Sequence, residues 1–221
     1  MFATQPPVIS KRSVKALAAP VKTPIVLVVD DDVAVRESLG DLLASVDIET
    51  KLFGSTQELL EAGLPDRPSC LVLDLRLPGG SGLDLQARLA EMNVGIPIVF
   101  ITGHGDVPTS VRAMKAGAVD FLPKPFRNQE LLDAVVKALR DDQERRAKDD
   151  DLTELRQLAE RLTARERDVL RGVGRGLLNK QIAHELGVSE ITVKMHRSSA
   201  RRKLKAMSAA DIVSKIAALG L

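Results

Sequence analysis

The chain has 221 residues, of which 44% are apolar and 28% are charged, and its formal net charge is +2. That near balance hides two halves of opposite sign, because residues 24–141 carry 11 Lys and Arg against 18 Asp and Glu, whereas residues 152–221 carry 14 against 7. A basic half favours a polyanionic partner such as nucleic acid. The lack of Trp and Tyr argues against stacking of single-stranded bases.

The N-terminal segment and the single cysteine bear on where in the cell the protein is expected to be. No apolar run approaches the ~18 residues of a membrane span, and residues 1–23 lack the hydrophobic region of a secretory signal. We interpret residues 1–23 as a disordered tail. Cys70 rules out an intrachain disulfide and is expected to be a small buried residue. We therefore expect a cytoplasmic protein with no membrane partner.

From Pro24 onward, short apolar runs alternate with helical periodicity. This alternation is typical of βα units and a parallel sheet. It predicts a five-stranded, doubly wound α/β domain over residues 24–141. The predicted strands are 25–29, 48–53, 70–74, 97–101 and 118–122. Ser55 is expected to cap one helix, and Gly117 to close the helix over residues 107–117.

The rest of the chain reads as helical. Residues 142–158 are interpreted as a charged linker or a helical extension, and both alternatives stay open. Thr163 and Glu166 form a capping box, and the four predicted helices of an all-α domain over residues 159–221 are 164–173, 179–186, 191–204 and about 209–219. Gly187 lies in the turn between two short helices, the second strongly basic, which is a helix-turn-helix pattern.

Several strands of the predicted sheet end on polar side chains. Carboxyl ends of parallel strands converge on one ligand site. An acid pair, Asp30 and Asp31, near Asp74 suits a cation with hard oxygen ligands, such as Mg²⁺. Asp74 can then attack a phosphoryl group, while Thr102 and Lys124 hold its charged oxygens. One such acid alone is more often structural, but the agreement of four strand ends favours the functional interpretation.

Two sets of motifs carry a resemblance to known families. The first domain resembles the receiver domain of two-component response regulators, particularly the FixJ-like group, in Val29-Asp30-Asp31-Asp32, Leu73-Asp74 with Pro78-Gly79 and Gly82, Ile101-Thr102-Gly103-His104-Gly105-Asp106 and Leu122-Pro123-Lys124-Pro125-Phe126. The second resembles the LuxR-type helix-turn-helix in Leu162-Thr163-Ala164-Arg165-Glu166-Arg167-Asp168-Val169-Leu170, Asn179-Lys180-Gln181-Ile182-Ala183 and Thr192-Val193-Lys194.

The receiver resemblance implies roles for individual residues. Asp74 is the expected phosphoacceptor, and a sensor histidine kinase the expected donor. The expected Mg²⁺ ligands are Asp30, Asp31, Asp74 and the backbone carbonyl of Arg76. Thr102 and Phe121 occupy the expected switch positions, and Lys124 pairs with the phosphate. The Lys124–Pro125 bond is expected to be cis.

The helix-turn-helix predicts DNA binding in the major groove, at two half-sites. We expect Lys194, with Arg197 or Arg201, to reach base edges and Lys180 to neutralise a phosphate. The full set of expected DNA-binding residues is Lys180, Thr192, Val193, Lys194, His196, Arg197 and Arg201. Phosphorylation is expected either to release the DNA-binding domains or to bring them together in a homodimer, and so to control transcription. RNA polymerase is a further candidate partner.

Some residues depart from the family pattern. Gly172 and Gly174 interrupt a helix, each at a cost of roughly 1 kcal/mol relative to Ala, which predicts a less stable second domain. Ala200 and Arg201 replace larger apolar residues, which puts the packing of the recognition helix in question.

Two other functions compete with this interpretation. A phosphohydrolase with Asp74 as nucleophile typically has a second acid where this chain has Arg76, so we expect no enzyme beyond slow self-dephosphorylation. A phosphate-independent DNA-binding regulator would not need the complete set of acid, hydroxyl and lysine positions.

Overall fold

The structure is a computed structural model that describes residues 22–103 and 107–221. The predicted disordered tail lies almost wholly outside these residues, as do residues 104–106 of one family motif. The described residues form two compact units, which divide between Gln143 and Glu144. Within the described ranges, every helix is too short or too polar to span a lipid bilayer.

The first unit is built on a parallel sheet, as predicted. Its strands are β1 (Ile25–Val29), β2 (Glu49–Phe53), β3 (Ser69–Asp74), β6 (Ile98–Thr102) and β7 (Asp120–Pro123), and the two-residue strands β4 (Arg76–Leu77) and β5 (Gly80–Ser81) form a separate hairpin. The strand order is β2-β1-β3-β6-β7. In this doubly wound order, successive strands are added on one side of β1 and then on the other side, and ligands bind at that switch point between β1 and β3.

Five helices pack on the sheet, the last of them through its N-terminal part: α1 (Val33–Ala44), α2 (Thr56–Ala62), α3 (Gly82–Glu91), α4 (Val107–Lys115) and α5 (Asn128–Glu160). Successive side chains of a strand point to opposite faces. Val26 and Val28 therefore pack with Leu43 of α1 and Leu131 of α5. Ile25, Leu27 and Val29 point to the other face of the sheet and pack with residues of α2, α3 and α4. The central strands β1, β3 and β6 are thus buried on both faces, which explains their nearly continuous apolar sequences, whereas the edge strand β2 is mostly exposed.

Local signals in the sequence have the predicted effect. Ser55 caps α2, because its hydroxyl accepts the backbone N–H of Glu58 at 3.2 Å. Helix α4 ends at Lys115, two residues before the predicted end, and Gly117 follows at φ +92°. The open question about the charged segment is answered in favour of helix, since α5 continues without interruption to Glu160.

The second unit is helical. After the end of α5 come α6 (Ala164–Gly174), α7 (Asn179–Leu186), α8 (Glu190–Lys203) and α9 (Ala209–Leu219). The capping box is confirmed, because the Thr163 hydroxyl accepts the Glu166 N–H at 3.2 Å and the Glu166 carboxylate accepts the Thr163 N–H at 2.7 Å. Gly187 ends α7 in the left-handed conformation at φ +65°, which turns the chain into α8.

The glycines of α6 have a packing role that sequence reasoning missed. A Cβ on Gly172 would lie 2.7 Å from Cγ1 of Ile182, and one on Gly174 would lie 2.8 Å from Cγ2 of Ile216. Glycine lets α6 approach α7 and α9 more closely than any other residue would. The lower stability of the second unit stays a prediction, and this close packing acts against the cost of the two glycines. Ala200 is fully buried, so a small residue also fits the core side of α8.

Candidate functional site

Three carboxylates converge at the carboxyl ends of β1 and β3. Asp30 and Asp31 follow β1, and Asp74 is the last residue of β3. One carboxylate oxygen from each lies within 4.8 Å of the others. Asp30 is fully buried and Asp74 nearly so, whereas Asp31 is exposed. Such a cluster repels itself unless cations compensate its charge.

Lys124 supplies part of that compensation. Its Nζ lies 2.6 Å from Oδ2 of Asp30 and 2.7 Å from Oδ2 of Asp74. Burial raises the pKa of Asp30, and the hydrogen bond from Lys124 opposes that rise. Burial also disfavours the Lys124 ammonium, but its bonds to Asp30 and Asp74 outweigh burial and raise its pKa. Three carboxylates and one ammonium leave two uncompensated negative charges, which match a divalent cation.

Backbone groups orient the two buried acids. Oδ1 of Asp30 accepts the Asp32 N–H at 3.0 Å, and Oδ1 of Asp74 accepts the Arg76 N–H at 3.0 Å. Each carboxylate oxygen therefore has one protein donor and keeps a second lone pair for a metal ion or a reaction. Oxygen donors with open positions fit Mg²⁺, which retains waters and engages phosphate oxygens.

Gly82, the first residue of α3, allows the segment between β3 and α3 to pack closely against Asp74. A Cβ at this position would lie 2.7 Å from the backbone oxygen of Asp74 and 3.0 Å from the ring of Phe100. A groove of about 550 Å³ opens beside the acids, with Arg76, Thr109 and Arg112 among its lining residues. Asp31 is among its lining residues and is exposed to solvent.

The predicted switch residues lie on neighbouring strands. Thr102 ends β6 and is almost fully buried, one residue beyond the partner of Asp74 in the β3–β6 register. Phe121 of β7 is partly buried, and its ring centroid lies 6.3 Å from that of Phe100. The backbone N–H of Lys124 donates to the Thr102 carbonyl at 2.7 Å. The Lys124–Pro125 peptide is cis, as the resemblance implied.

Sequence reasoning missed Arg36. Its Nη1 donates to the backbone carbonyl of Asp30 at 2.5 Å. This hydrogen bond links the fourth residue of α1 to the acid pair Asp30 and Asp31. No motif spacing in the sequence predicts it.

In the second unit, the cations expected to bind DNA lie on α7 and α8 and differ in their exposure and contacts. Ser189 caps α8, with its Oγ 2.8 Å from Oγ1 of Thr192. Lys180 and Lys194 are exposed, and Lys194 forms a surface ion pair with Glu190 at 3.2 Å. Such pairs are weak, so a DNA phosphate or base can replace this one. His196 is only partly exposed.

Three predicted DNA-binding residues have other partners. Val193 is fully buried in the core of the second unit, so its side chain does not face solvent. Arg197 donates to Oδ1 of Asn179 at 3.1 Å, which ties α8 to the start of α7. Arg201 donates to the backbone oxygens of Ala206 and Met207, so it holds the loop after α8. Of the cations predicted to reach base edges, Lys194 is thus the one that makes no tertiary hydrogen bond or ion pair within the described residues.

This fold and these sites define a class of protein. Residues 26–136 match the response regulator receiver domain family, and residues 160–216 match the bacterial regulatory proteins of the luxR family. The chain belongs to the two-component response regulators that join a receiver domain to a LuxR-type DNA-binding domain, and it regulates transcription through phosphorylation. Its resemblance to the FixJ-like group is confirmed.

Relatives match over nearly the whole chain. Nodulation protein W of Bradyrhizobium diazoefficiens is 54% identical over 197 residues, which are 89% of this chain and 87% of that protein. Response regulator protein TodT of Pseudomonas putida is 46% identical over 86% of this chain and 83% of its own. The solved structure of response regulator StyR is similar, with a TM-score of 0.77 and 50% identity over 88% of this chain and 98% of that one.

Proposed function

We propose that Asp74 is the phosphoacceptor of this response regulator and that its phosphorylation controls binding of the second unit to DNA. The observation that carries the proposal is the position of Asp74 at the end of a central strand. Its Oδ2 lies 2.7 Å from Nζ of Lys124, and one of its carboxylate oxygens lies within 4.8 Å of carboxylate oxygens of Asp30 and Asp31. In the transfer, an Asp74 carboxylate oxygen bonds to phosphorus while the phosphorus–nitrogen bond of the kinase's phosphohistidine breaks. The imidazole leaves and takes up a proton.

Asp30, Asp31 and Asp74 are the proposed ligands of Mg²⁺, together with the backbone carbonyl of Arg76. When bound, Mg²⁺ supplies electrostatic stabilisation of the transferring phosphoryl oxygens. Lys124 is proposed to donate to one of those oxygens, and the Thr102 hydroxyl to another.

Phosphorylation is proposed to act on the surface of α4 and β7. The new charge draws Thr102 inward, Phe121 follows, and the outer face of this part of the sheet changes. Val107, Val111 and Met114 expose apolar side chains on α4, which supports a homodimer through that face. A dimer brings two DNA-binding units to two half-sites.

On DNA, Lys194 is the proposed base contact and Lys180 the proposed phosphate contact. Thr192 and His196 flank α8 and are proposed to hydrogen-bond the backbone of the duplex. The sensor kinase, and RNA polymerase at the promoter, are the proposed protein partners. Because the protein carries a signal to DNA, we place it in the compartment that holds the DNA, the cytoplasm.

The test begins with acetyl phosphate and Mg²⁺. Mass spectrometry should show one added phosphoryl group on the full chain and none on Asp74→Asn. The matched control is Asp41→Asn, which changes an exposed acid of α1 and should be phosphorylated normally. Undiminished phosphorylation of Asp74→Asn would overturn the assignment.

Sedimentation and DNA binding complete the test. Phosphorylation should double the sedimenting mass and strengthen DNA binding in the wild type but not in Asp74→Asn. DNA binding that is identical with and without a confirmed phosphoryl group would instead indicate a phosphate-independent regulator. Steady turnover of phosphate esters would indicate a phosphohydrolase.

A further inference from the structure

Two apolar side chains stand in the middle of the solvent face of α8. Ile191 is 71% exposed and Met195 is 67% exposed. They are four residues apart, so they lie one above the other on the same side of the helix. The buried face of α8 carries Val193 and Ala200. At about 100° per residue, Ile191 and Met195 point almost directly away from that buried face.

Neither side chain contributes to the core of the second unit. Single exposed apolar residues are ordinary on protein surfaces. This pair differs because it occupies one face of a basic helix, with Lys194 and Arg202 exposed beside it. The cations draw the helix towards a polyanion, and the apolar pair is then at the centre of the surface that meets it.

Only one base edge in the major groove offers an apolar group, and that is the C5-methyl of thymine. The N-terminal residues of a recognition helix are the ones that contact base edges, and Ile191 and Met195 lie in the first half of α8. Four residues rise about 6 Å along a helix, which is close to two base-pair steps of about 3.4 Å each. The pair can therefore contact two thymines in one half-site.

We propose that Ile191 and Met195 determine DNA specificity by contacting thymine C5-methyl groups beside the base pair contacted by Lys194. The proposal rests on the proposed function, since it requires α8 to enter the major groove. It adds an apolar readout to the hydrogen bonds expected from lysine. It also predicts that the preferred half-site contains thymines at defined positions.

The test compares thymine with uracil, which lacks only the methyl group. The preferred duplex is first selected from random DNA with the full chain, acetyl phosphate and Mg²⁺. Each thymine is then replaced by uracil in turn. Loss of one buried methyl group should weaken wild-type binding about fourfold at one or two positions per half-site. All other uracil substitutions should have little effect.

Two variants assign the positions. Met195→Ala should abolish the uracil effect at one position, and Ile191→Ala should abolish it at another. The matched control is Met207→Ala, because Met207 is 84% exposed in the same unit but lies outside α8. This variant should keep the full uracil pattern. All three side chains are exposed, so their truncation should leave the fold intact.

The outcomes separate this inference from the proposed function. Specific binding with no uracil-sensitive position overturns the inference and leaves the proposed function standing. The same holds if the uracil pattern persists in both α8 variants, or if the variants change the sedimenting mass instead, which would make the pair an interface with a second copy. Failure to select any sequence at all overturns the proposed function and this inference with it.

Discussion

Replacing Glu166 with Gln should destabilise the second unit selectively, because Glu166 anchors the end of α8 to the start of α6. Glu166 is only 3% exposed. Its Oε2 accepts a hydrogen bond from Nζ of Lys203 at 2.6 Å and one from the Thr163 N–H at 2.7 Å. Gln has the same shape and can still accept from Thr163, so the substitution removes mainly the charge.

The size of the effect follows from the pKa of Glu166. Burial disfavours the charged carboxylate, but the hydrogen bonds from Lys203, Thr163 and Ser199 outweigh burial and lower its pKa from 4.5 to about 2. That difference corresponds to about 3 kcal/mol of stability. Lys203 keeps 29% of its side chain in solvent, and screening there reduces the expected loss to about 2 kcal/mol.

The pH dependence has a definite sign. Because the folded-state pKa lies below the unfolded value, the carboxylate contributes its full stabilisation above about pH 4.5. The contribution is lost as the pH falls towards about 2. The difference between wild type and Glu166→Gln should therefore be largest near neutral pH and shrink in acid.

Amide hydrogen exchange of the full chain measures this effect within one unit. Peptides from α6 and α8 should exchange about 30-fold faster in Glu166→Gln at neutral pH, while peptides from β3 stay unchanged. The matched control is Glu154→Gln, which breaks the exposed ion pair with Lys205 and should change little. Equal acceleration in both variants, or none in Glu166→Gln, would refute the reasoning.

Three further predictions concern separate parts of the chain. Lys194→Ala should lose about 1–3 kcal/mol of binding free energy that depends on one operator position. Lys180→Ala should weaken binding to all DNA sequences and lower the slope of log affinity against log salt concentration by about 1. Titrations of cognate and scrambled DNA at several salt concentrations distinguish the two effects. Gly172→Ala should destabilise the second unit by about 1–3 kcal/mol in urea unfolding, because its methyl would overlap Ile182. Cys70 should resist alkylation near pH 8 until the protein unfolds, because burial raises its pKa to about 12, and rapid labelling of the native protein would contradict this.

The sheet could be predicted because its central strands β1, β3 and β6 are buried on both faces. A continuous run such as Cys70 to Asp74 has no helical periodicity and is too short for a helix. The polar residue at its end then locates the candidate site through the topology of parallel sheets. Boundaries moved by one or two residues where backbone geometry decides. Helix α4, for example, ends before Gly117 because the chain needs a left-handed residue there.

The contacts of α8 differ in how far the sequence could have predicted them. Val193 and Ala200 are seven residues apart, so the helical period alone could have placed Val193 in the core. The partners of Arg201 are backbone oxygens of Ala206 and Met207 in the following loop. The position of that loop depends on tertiary packing, and no residue spacing encodes it.

The arrangement around Lys124 explains how a charge change at one residue can reach the surface. In the structure the ammonium lies between Asp30 and Asp74, at 2.6 and 2.7 Å. A phosphoryl group on Asp74 would replace a carboxylate with a group that carries more negative charge and lies farther from the strand. The ammonium would follow that charge. Because Lys124 directly continues β7, its movement would pull on the strand that carries Phe121.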